Sequence, residues 1–314
     1  MQAAISTGPS IHLDHLAPLC FVLELPLIVT EQEQLELCKQ FYPMTDVQHV
    51  PLQDLSLEVL ANHFDTIITC GKFWAMELKP LLQMFYGKQP RFIFAPHGYS
   101  DKETLLNQPV AQDIELVYKL SRVQSVQIEM GNIRLWFYQK FKAHFDSLAQ
   151  PFFPSEKTTV LYAPTWQTTA TTTSFFDKLE DVIQLCKDNY HLLVKLHPLL
   201  EENDPAQFYR LKETYKDRVC FIENFPAIYP LLEKTDIYLG DYSSIGYDFL
   251  AFNRPLFFLK EGGKLQECGQ LLTGSLDDPQ LHLREKRKRL YQDTFGRSMD
   301  LEKFKLRKRS IEKS

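Results

Sequence analysis

Short apolar runs alternate with longer stretches of helical spacing along most of the chain, the pattern of parallel strands joined by covering helices. In the first half, Ala3-Ala4-Ile5 leads through Ser6-Thr7-Gly8-Pro9 into a helix over about His12 to Leu25, and Leu27-Ile28-Val29 is the next strand. Gln32 to Phe41 reads as helical, Val47 to Val50 as extended and Leu55 to His63 as helical. Thr66 to Thr69 and Arg91 to Ala95 are strands flanking a helix over Phe73 to Phe85, and helical periodicity then runs from Asp113 to Ala149 with a break near Gly131. A second series follows Pro151-Phe152-Phe153-Pro154-Ser155, whose prolines suggest a linker. Its strands are Val160 to Ala163, Leu192 to Leu196, Val219 to Ile222, Asp236 to Gly240 and Pro255 to Leu259, with helices over Phe175 to Asp188, Phe208 to Tyr215 and Ala227 to Glu233. The expected class is α/β, with two series of parallel strands covered by helices on both faces. The expected divisions are 1–150, 151–282 and a basic helical tail over 283–314.

Composition narrows the setting. With 314 residues, 44% of them hydrophobic, the chain has material for two packed cores. The longest early apolar run, Leu16 to Val29, is broken by Pro18, Glu24 and Pro26 and is shorter than the roughly 20 residues of a membrane span. No secretory leader pattern precedes it, so a cytoplasmic protein is expected. Six scattered cysteines form no CxxC pair, which suggests reduced thiols and no zinc site. The net charge of −5 conceals an asymmetry, because residues 282–314 carry 12 Lys/Arg against 5 Asp/Glu and leave −12 for the rest. That tail either packs as a solvated helix on the acidic body or rests on an anionic membrane surface. Nucleic acid is not an expected partner, since no fold signature or aromatic-basic interleaving accompanies the charge.

Candidate chemistry collects at the carboxyl ends of strands, the edge where open parallel sheets bind ligands. Asp241-Tyr242-Ser243-Ser244 is a polar turn between a strand and a helix, where hydroxyls and free N–H groups suit a phosphate. Helix capping is the plain alternative for those serines. Phe94-Ala95-Pro96-His97-Gly98 sets a histidine after a first-half strand, with Lys102 nearby, and Lys195-Leu196-His197-Pro198 repeats the arrangement in the second half. Imidazole suits proton transfer near neutral pH, although an isolated histidine more often has a structural role. Tyr162-Ala163-Pro164-Thr165-Trp166 adds Thr165 as a hydroxyl donor and Trp166 as either packing or ligand contact. The threonine-rich stretch Thr168 to Thr173 reads as a mobile loop beside this edge. Walker A, GxGxxG, Gly-Xaa-Ser-Xaa-Gly and HExxH patterns are absent from the sequence, which disfavours ATP-driven, NAD-dependent, serine-hydrolase and zinc-protease chemistry.

Taken together, His97-Gly98 with Lys102, Tyr162 to Trp166, Lys195 to Pro198, Asp241 to Ile245, Asp248-Phe249 and Asn253-Arg254-Pro255 resemble the CDP-glycerol glycerophosphotransferases, the teichoic-acid primases and polymerases. The resemblance runs from about His97 to Leu259. It implies a GT-B architecture of two Rossmann-like domains whose parallel sheets face a central cleft, a CDP-linked donor in the C-terminal half and an acceptor hydroxyl, on a surface polymer or lipid-linked glycan, presented by the N-terminal half. It assigns His97 as the base and places His197, Ser243 and Ser244 around the donor pyrophosphate, with Thr165, Gly98 and Lys102 beside them. Asp241 either binds ribose hydroxyls or orients its turn. No metal or cofactor is called for, the CDP-linked donor being a substrate. Two departures stand out: Gln167 occupies the place of a usual arginine, and the tyrosine and Arg-Gly pattern expected beyond Leu259 is missing. Two other readings stay open: a GT-B glycosyltransferase or epimerase using a sugar nucleotide, and a binding protein without turnover.

Overall fold

A computed structural model describes residues 1–99, 113–119, 127–154, 156–167, 172–241 and 243–296. These divide into two units. One takes the described residues within Met1–His97, Thr104–Lys140 and Phe295–Ser314, the other those within Gly98–Glu103 and Phe141–Thr294.

The first unit holds a sheet of seven strands: β1 Gln2–Ser6, β2 Leu27–Val29, β3 Val47–His49, β4 Thr66–Thr69, β5 Arg91–Phe94, β6 Ile114–Val117 and β7 Gln127–Glu129. They lie in the order β3-β2-β1-β4-β5-β6-β7, and every pairing is parallel. The order reverses between β1 and β4, which makes the carboxyl ends of those strands the crevice of the sheet. Ala3, Ile5, Ile28, Ile67 and Phe92 join Leu60, Phe64 and Leu82 from the flanking helices in one core.

The helix Leu13–Leu23 is buried on nearly every face, which explains why its sequence lacks the polar stripe of a surface helix. Its polar residues are buried too. Asp14 accepts from Arg134 Nη2 at 2.6 Å and Nε at 2.8 Å, and Tyr42 donates its hydroxyl to the other Asp14 oxygen at 3.1 Å. Among the described residues, no helix is long and apolar enough to cross a membrane.

The helical periodicity expected from Asp113 is corrected by β6 and β7. Ile114 and Leu116 are buried while Glu115 and Val117 between and after them are half-buried, a period of two that pairs with β5. Helices begin only after Gly131, whose φ of +64° turns the chain, as Ile133–Lys140 and Lys142–Ala149.

The second unit holds β8 Thr158–Ala163, β9 Tyr190–Lys195, β10 Cys220–Ile222, β11 Ile237–Gly240, β12 Leu256–Phe258 and β13 Gln270–Leu271. Their order is β10-β9-β8-β11-β12-β13, again parallel throughout and again reversing beside the first strand, here between β8 and β11. Val160, Tyr162, Val194, Leu239 and Phe257 meet Phe175, Leu179, Ile183 and Phe208 in its core. Two Rossmann-like parallel sheets, the expected α/β class, are therefore present.

The helix Lys142–Ala149 and the Pro151–Pro154 segment pack with this unit; His191 Nε2 lies 2.7 Å from the Phe152 carbonyl, and the Phe152 and Phe225 rings meet edge to face. The basic run of the tail forms the helix Arg284–Phe295, but it is not uniformly a surface. Arg287 is fully buried and donates to Asn253 Oδ1, the Cys268 carbonyl and both oxygens of Gln280. The basic cluster over Lys303 to Arg309 lies outside the described residues. All six cysteines are free thiols.

Candidate functional site

In the second unit the carboxyl ends of β8, β9 and β11 carry Thr165, His197 and the turn at Asp241. β11 ends at Gly240 because only a glycine fits there: a Cβ would stand 2.3 Å from the hydroxyl of Tyr238, whose buried ring crosses beneath the turn. Asp241 then points inward. It accepts from the Thr165 backbone N–H at 2.7 Å on one oxygen, and from the Ser174 N–H and hydroxyl at 2.9 and 2.7 Å on the other. Tyr162 Oη sits 2.8 Å from the same Ser174 hydroxyl. A single buried carboxylate thus ties the loop after β8 and the start of the helix Phe175–Cys186 to the end of β11. Burial pushes the Asp241 carboxyl up, while the Ser174 and Thr165 donors and the charge of Lys260 pull it back. Three bonds to backbone and Ser174 make Asp241 the organiser of the turn, and Lys260 braces the same loop by donating to Thr172 Oγ1 and the Thr173 carbonyl at 2.8 and 2.6 Å.

With Asp241 occupied, the serines are what the turn offers. Ser244 occupies the N-cap of the helix Ile245–Phe249 but makes no capping bond with its side chain, and Ser243 Oγ reaches the Ile245 N–H only at 3.4 Å. The helix itself is five residues long and its dipole is correspondingly weak, and the N–H groups of Ile245, Gly246 and Tyr247 already bond to Ser243 Oγ and to the Ser243 and Ser244 carbonyls, so the hydroxyls matter more than the macrodipole. Gly98, grouped with this unit, has φ +121° and lies so close that a Cβ would be 2.9 Å from Ser244 Oγ.

His197 has a defined tautomer. Its Nδ1 accepts the Leu199 N–H at 3.2 Å, which leaves the ring proton on Nε2, and Trp166 stacks on the ring at 5.9 Å with 21° between planes. The half-buried imidazole is thereby oriented as a hydrogen-bond donor. Gln167 contributes through its backbone, with its N–H on Asn203 Oδ1 at 2.8 Å and its carbonyl receiving the Asn203 amide at 3.2 Å.

In the first unit, His97 stands exposed in the loop after β5. Its ring meets that of His12, centroids 5.0 Å apart and tilted by 55°. Gly8, with φ +80°, and Pro9 turn the chain after β1 so that His12 ends a short 3-10 turn, Ser10–His12, directly before the helix Leu13–Leu23. Burial beside His97 lowers the His12 pKa to about 4, and burial beside Arg134 holds His15 well below the usual imidazole range.

Of the residues singled out by sequence, Thr165, Asp241, Ser243, Ser244 and Gly98 lie together in the second unit, with His197 on the neighbouring strand end, and His97 is in the first. Lys102, Thr168 to Thr171 and Tyr242 lie outside the described residues. Ser174, Lys260, His12 and His15 were not singled out. Ser174 carried a signal as a hydroxyl immediately before a helix, and His12 and His15 as polar residues interrupting an apolar helix.

Residues 152–263 match the family of CDP-Glycerol:Poly(glycerophosphate) glycerophosphotransferases, which bears out the resemblance carried by the motifs of the second half. The teichoic acid glycerol-phosphate primase of Bacillus subtilis (strain 168) is 30% identical over 112 residues, 35% of this chain and 28% of that protein. The teichoic acid poly(glycerol phosphate) polymerase of Bacillus spizizenii is 29% identical over 173 residues, 51% of this chain and 41% of that protein. The aligned segments are thus less than half the length of these curated relatives. A structure of the wall teichoic acid polymerase TagF superposes with a TM-score of 0.62 at 16% identity, covering 99% of this chain and 88% of that one, which is a likeness of fold.

Proposed function

From the glycerophosphotransferase signature of residues 152–263, we propose that this chain moves glycerol phosphate, or a similar polyol phosphate, from a CDP-linked donor to a hydroxyl of a surface polymer or lipid-linked glycan, releasing CMP. The observation that carries the reading is the organisation of the second unit's carboxyl edge around Asp241, which sets Ser243, Ser244 and His197 along one edge as donor side chains for phosphate oxygens. Oriented donors of this kind stabilise the charge that grows on the phosphates as the bridging bond breaks. Thr165 adds a buried hydroxyl at the same edge. His97 accepts the proton of the acceptor hydroxyl while that oxygen attacks the phosphorus bonded to glycerol. The bond from that phosphorus to the bridging oxygen breaks, and CMP leaves with the electron pair. Lys102 is proposed as a point charge near the same loop.

Ligand stabilisation and product release test the proposal together. CDP-glycerol raises the melting temperature of the full chain and yields CMP when a glycerol-phosphate-terminated lipid is supplied. Stabilisation by UDP-sugars with none by CDP-glycerol would replace this reading with sugar-nucleotide chemistry. Stabilisation by CDP-glycerol without any CMP release would leave a binding protein.

A further inference from the structure

We propose that His12 and His15 are the positioning pair of His97, one holding its ring and the other the backbone that leads into it. The inference rests on His97 as the base of the proposed reaction. An exposed histidine in a loop has many rotamers, and proton transfer needs one of them. His12 supplies a wall for the ring, in contact at 5.0 Å between centroids. His15 lies three residues further along, in the first turn of the helix that His12 caps. His15 Nδ1 is 3.3 Å from the Tyr118 hydroxyl, which in turn lies 3.5 Å from the carbonyl of Pro96, the residue before His97. The chain from β1 into the helix Leu13–Leu23 thus grips the loop after β5 at two points.

The electrostatics of the cluster agree with that role. Three imidazoles this close would repel one another if charged. Burial keeps His12 and His15 neutral at physiological pH, a backbone bond at Thr7 and another at Pro96 offsetting only part of the effect. Arg134, the guanidinium that acts on His15, is paired with Asp14 at 2.6 Å. A proton accepted during turnover therefore resides on His97 and not on His12 or His15. Among the described residues no three His, Cys, Asp or Glu side chains are arranged to hold a metal ion, so the cluster does not read as a metal centre.

The test follows kinetics with CDP-glycerol and the lipid acceptor beside imidazole NMR titration of the full chain, in which His97→Ala assigns the His97 signal. His12→Ala lowers kcat about tenfold or more with donor KM within twofold, and His12→Phe, which restores a neutral ring, recovers most of the loss. His12→Lys places a fixed charge against His97 and lowers its titration midpoint by about one pH unit, moving the acid limb of the rate profile with it. Tyr118→Phe, which removes only the hydroxyl, lowers kcat without moving that midpoint. Wild-type kcat in His12→Ala, or in Tyr118→Phe should His12→Ala not fold, would overturn the inference, as would an unmoved midpoint in His12→Lys. The base assignment fails separately: turnover retained by His97→Ala would remove it, whatever the midpoint does in His12→Lys.

Discussion

The two sheets share one strand order and are finished in opposite ways at their carboxyl edges. In the second unit a buried carboxylate, Asp241, draws backbone and hydroxyl donors onto itself, and the N-cap Ser244 beside it makes no capping bond with its side chain. In the first unit two neutral imidazoles, His12 and His15, surround a third that is exposed. On the proposed reading, the first arrangement fixes donors for an anion and the second fixes a proton acceptor. The buried arginines repeat the contrast. Arg134 is matched by the Asp14 carboxylate, whereas Arg287 is held by uncharged oxygens of Asn253, Cys268 and Gln280. The strand order that the six-stranded sheet shares with six strands of the seven-stranded one therefore says where chemistry sits and leaves its kind to a few polar residues at the strand ends.

If the division of labour is right, substitutions on the two edges separate in kinetics. His97→Ala is expected to lower kcat by about 10²- to 10⁴-fold while the affinity for CDP-glycerol, measured by titration calorimetry, stays within twofold. Ser243→Ala is expected to weaken that affinity as well as turnover. A Ser243→Ala enzyme with wild-type donor affinity would break the comparison, because the serine turn would then not be a donor site.

The strands and the strand-end motifs were legible in the sequence, and what was not has a common cause. The apolar runs of β1, β4, β8, β9 and β11 and the polar turn after β11 stand out because each is local and contiguous. β6 and β7 were hidden because four and three residues of alternation are lost inside the helical spacing that surrounds them. Asp241 was legible as a site residue but not as the organiser, since its partners Thr165 and Ser174 are 76 and 67 residues away. His12 and His15 passed unnoticed for the same reason: their meaning comes from β5, which only pairing through β4 brings beside β1.

Acidification sharpens the comparison at lower cost. His12 has a folded pKa near 4 against an ordinary 6.5, so the unfolded chain binds the extra proton and stability falls as pH drops from 6.5 towards 4. A tenfold change in proton affinity is worth about 1.4 kcal/mol, so the His12 contribution is at most on the order of 3 kcal/mol. Asp241 is displaced the other way, since its folded carboxyl holds a proton at higher pH than the unfolded one, and protonating it does not oppose the fold. Hydrogen exchange followed from pH 6.5 to 4 should therefore loosen β1 and the helix Leu13–Leu23 before β8 and β11. Equal loosening of both edges would show that these buried groups do not govern them.

The smallest effect concerns the tail, where burial divides a run of charges that looks uniform in sequence. Arg284, Lys286, Lys288 and Arg289 are exposed, and Arg287 between them is not. If the exposed face rests on an anionic membrane, each cation near the lipid contributes about 1 kcal/mol. Replacing Lys286, Lys288 and Arg289 together by glutamine should then weaken sedimentation with phosphatidylserine vesicles markedly and leave the melting temperature unchanged. Arg287→Met should do the reverse, lowering stability by about 2 kcal/mol or more because Gln280 and the Cys268 carbonyl lose a charged donor in the interior, with vesicle binding per folded molecule preserved. Vesicle binding that survives the triple replacement would remove the helix Arg284–Phe295 as a membrane contact, and its charge run would then be explained by solvation around one buried anchor.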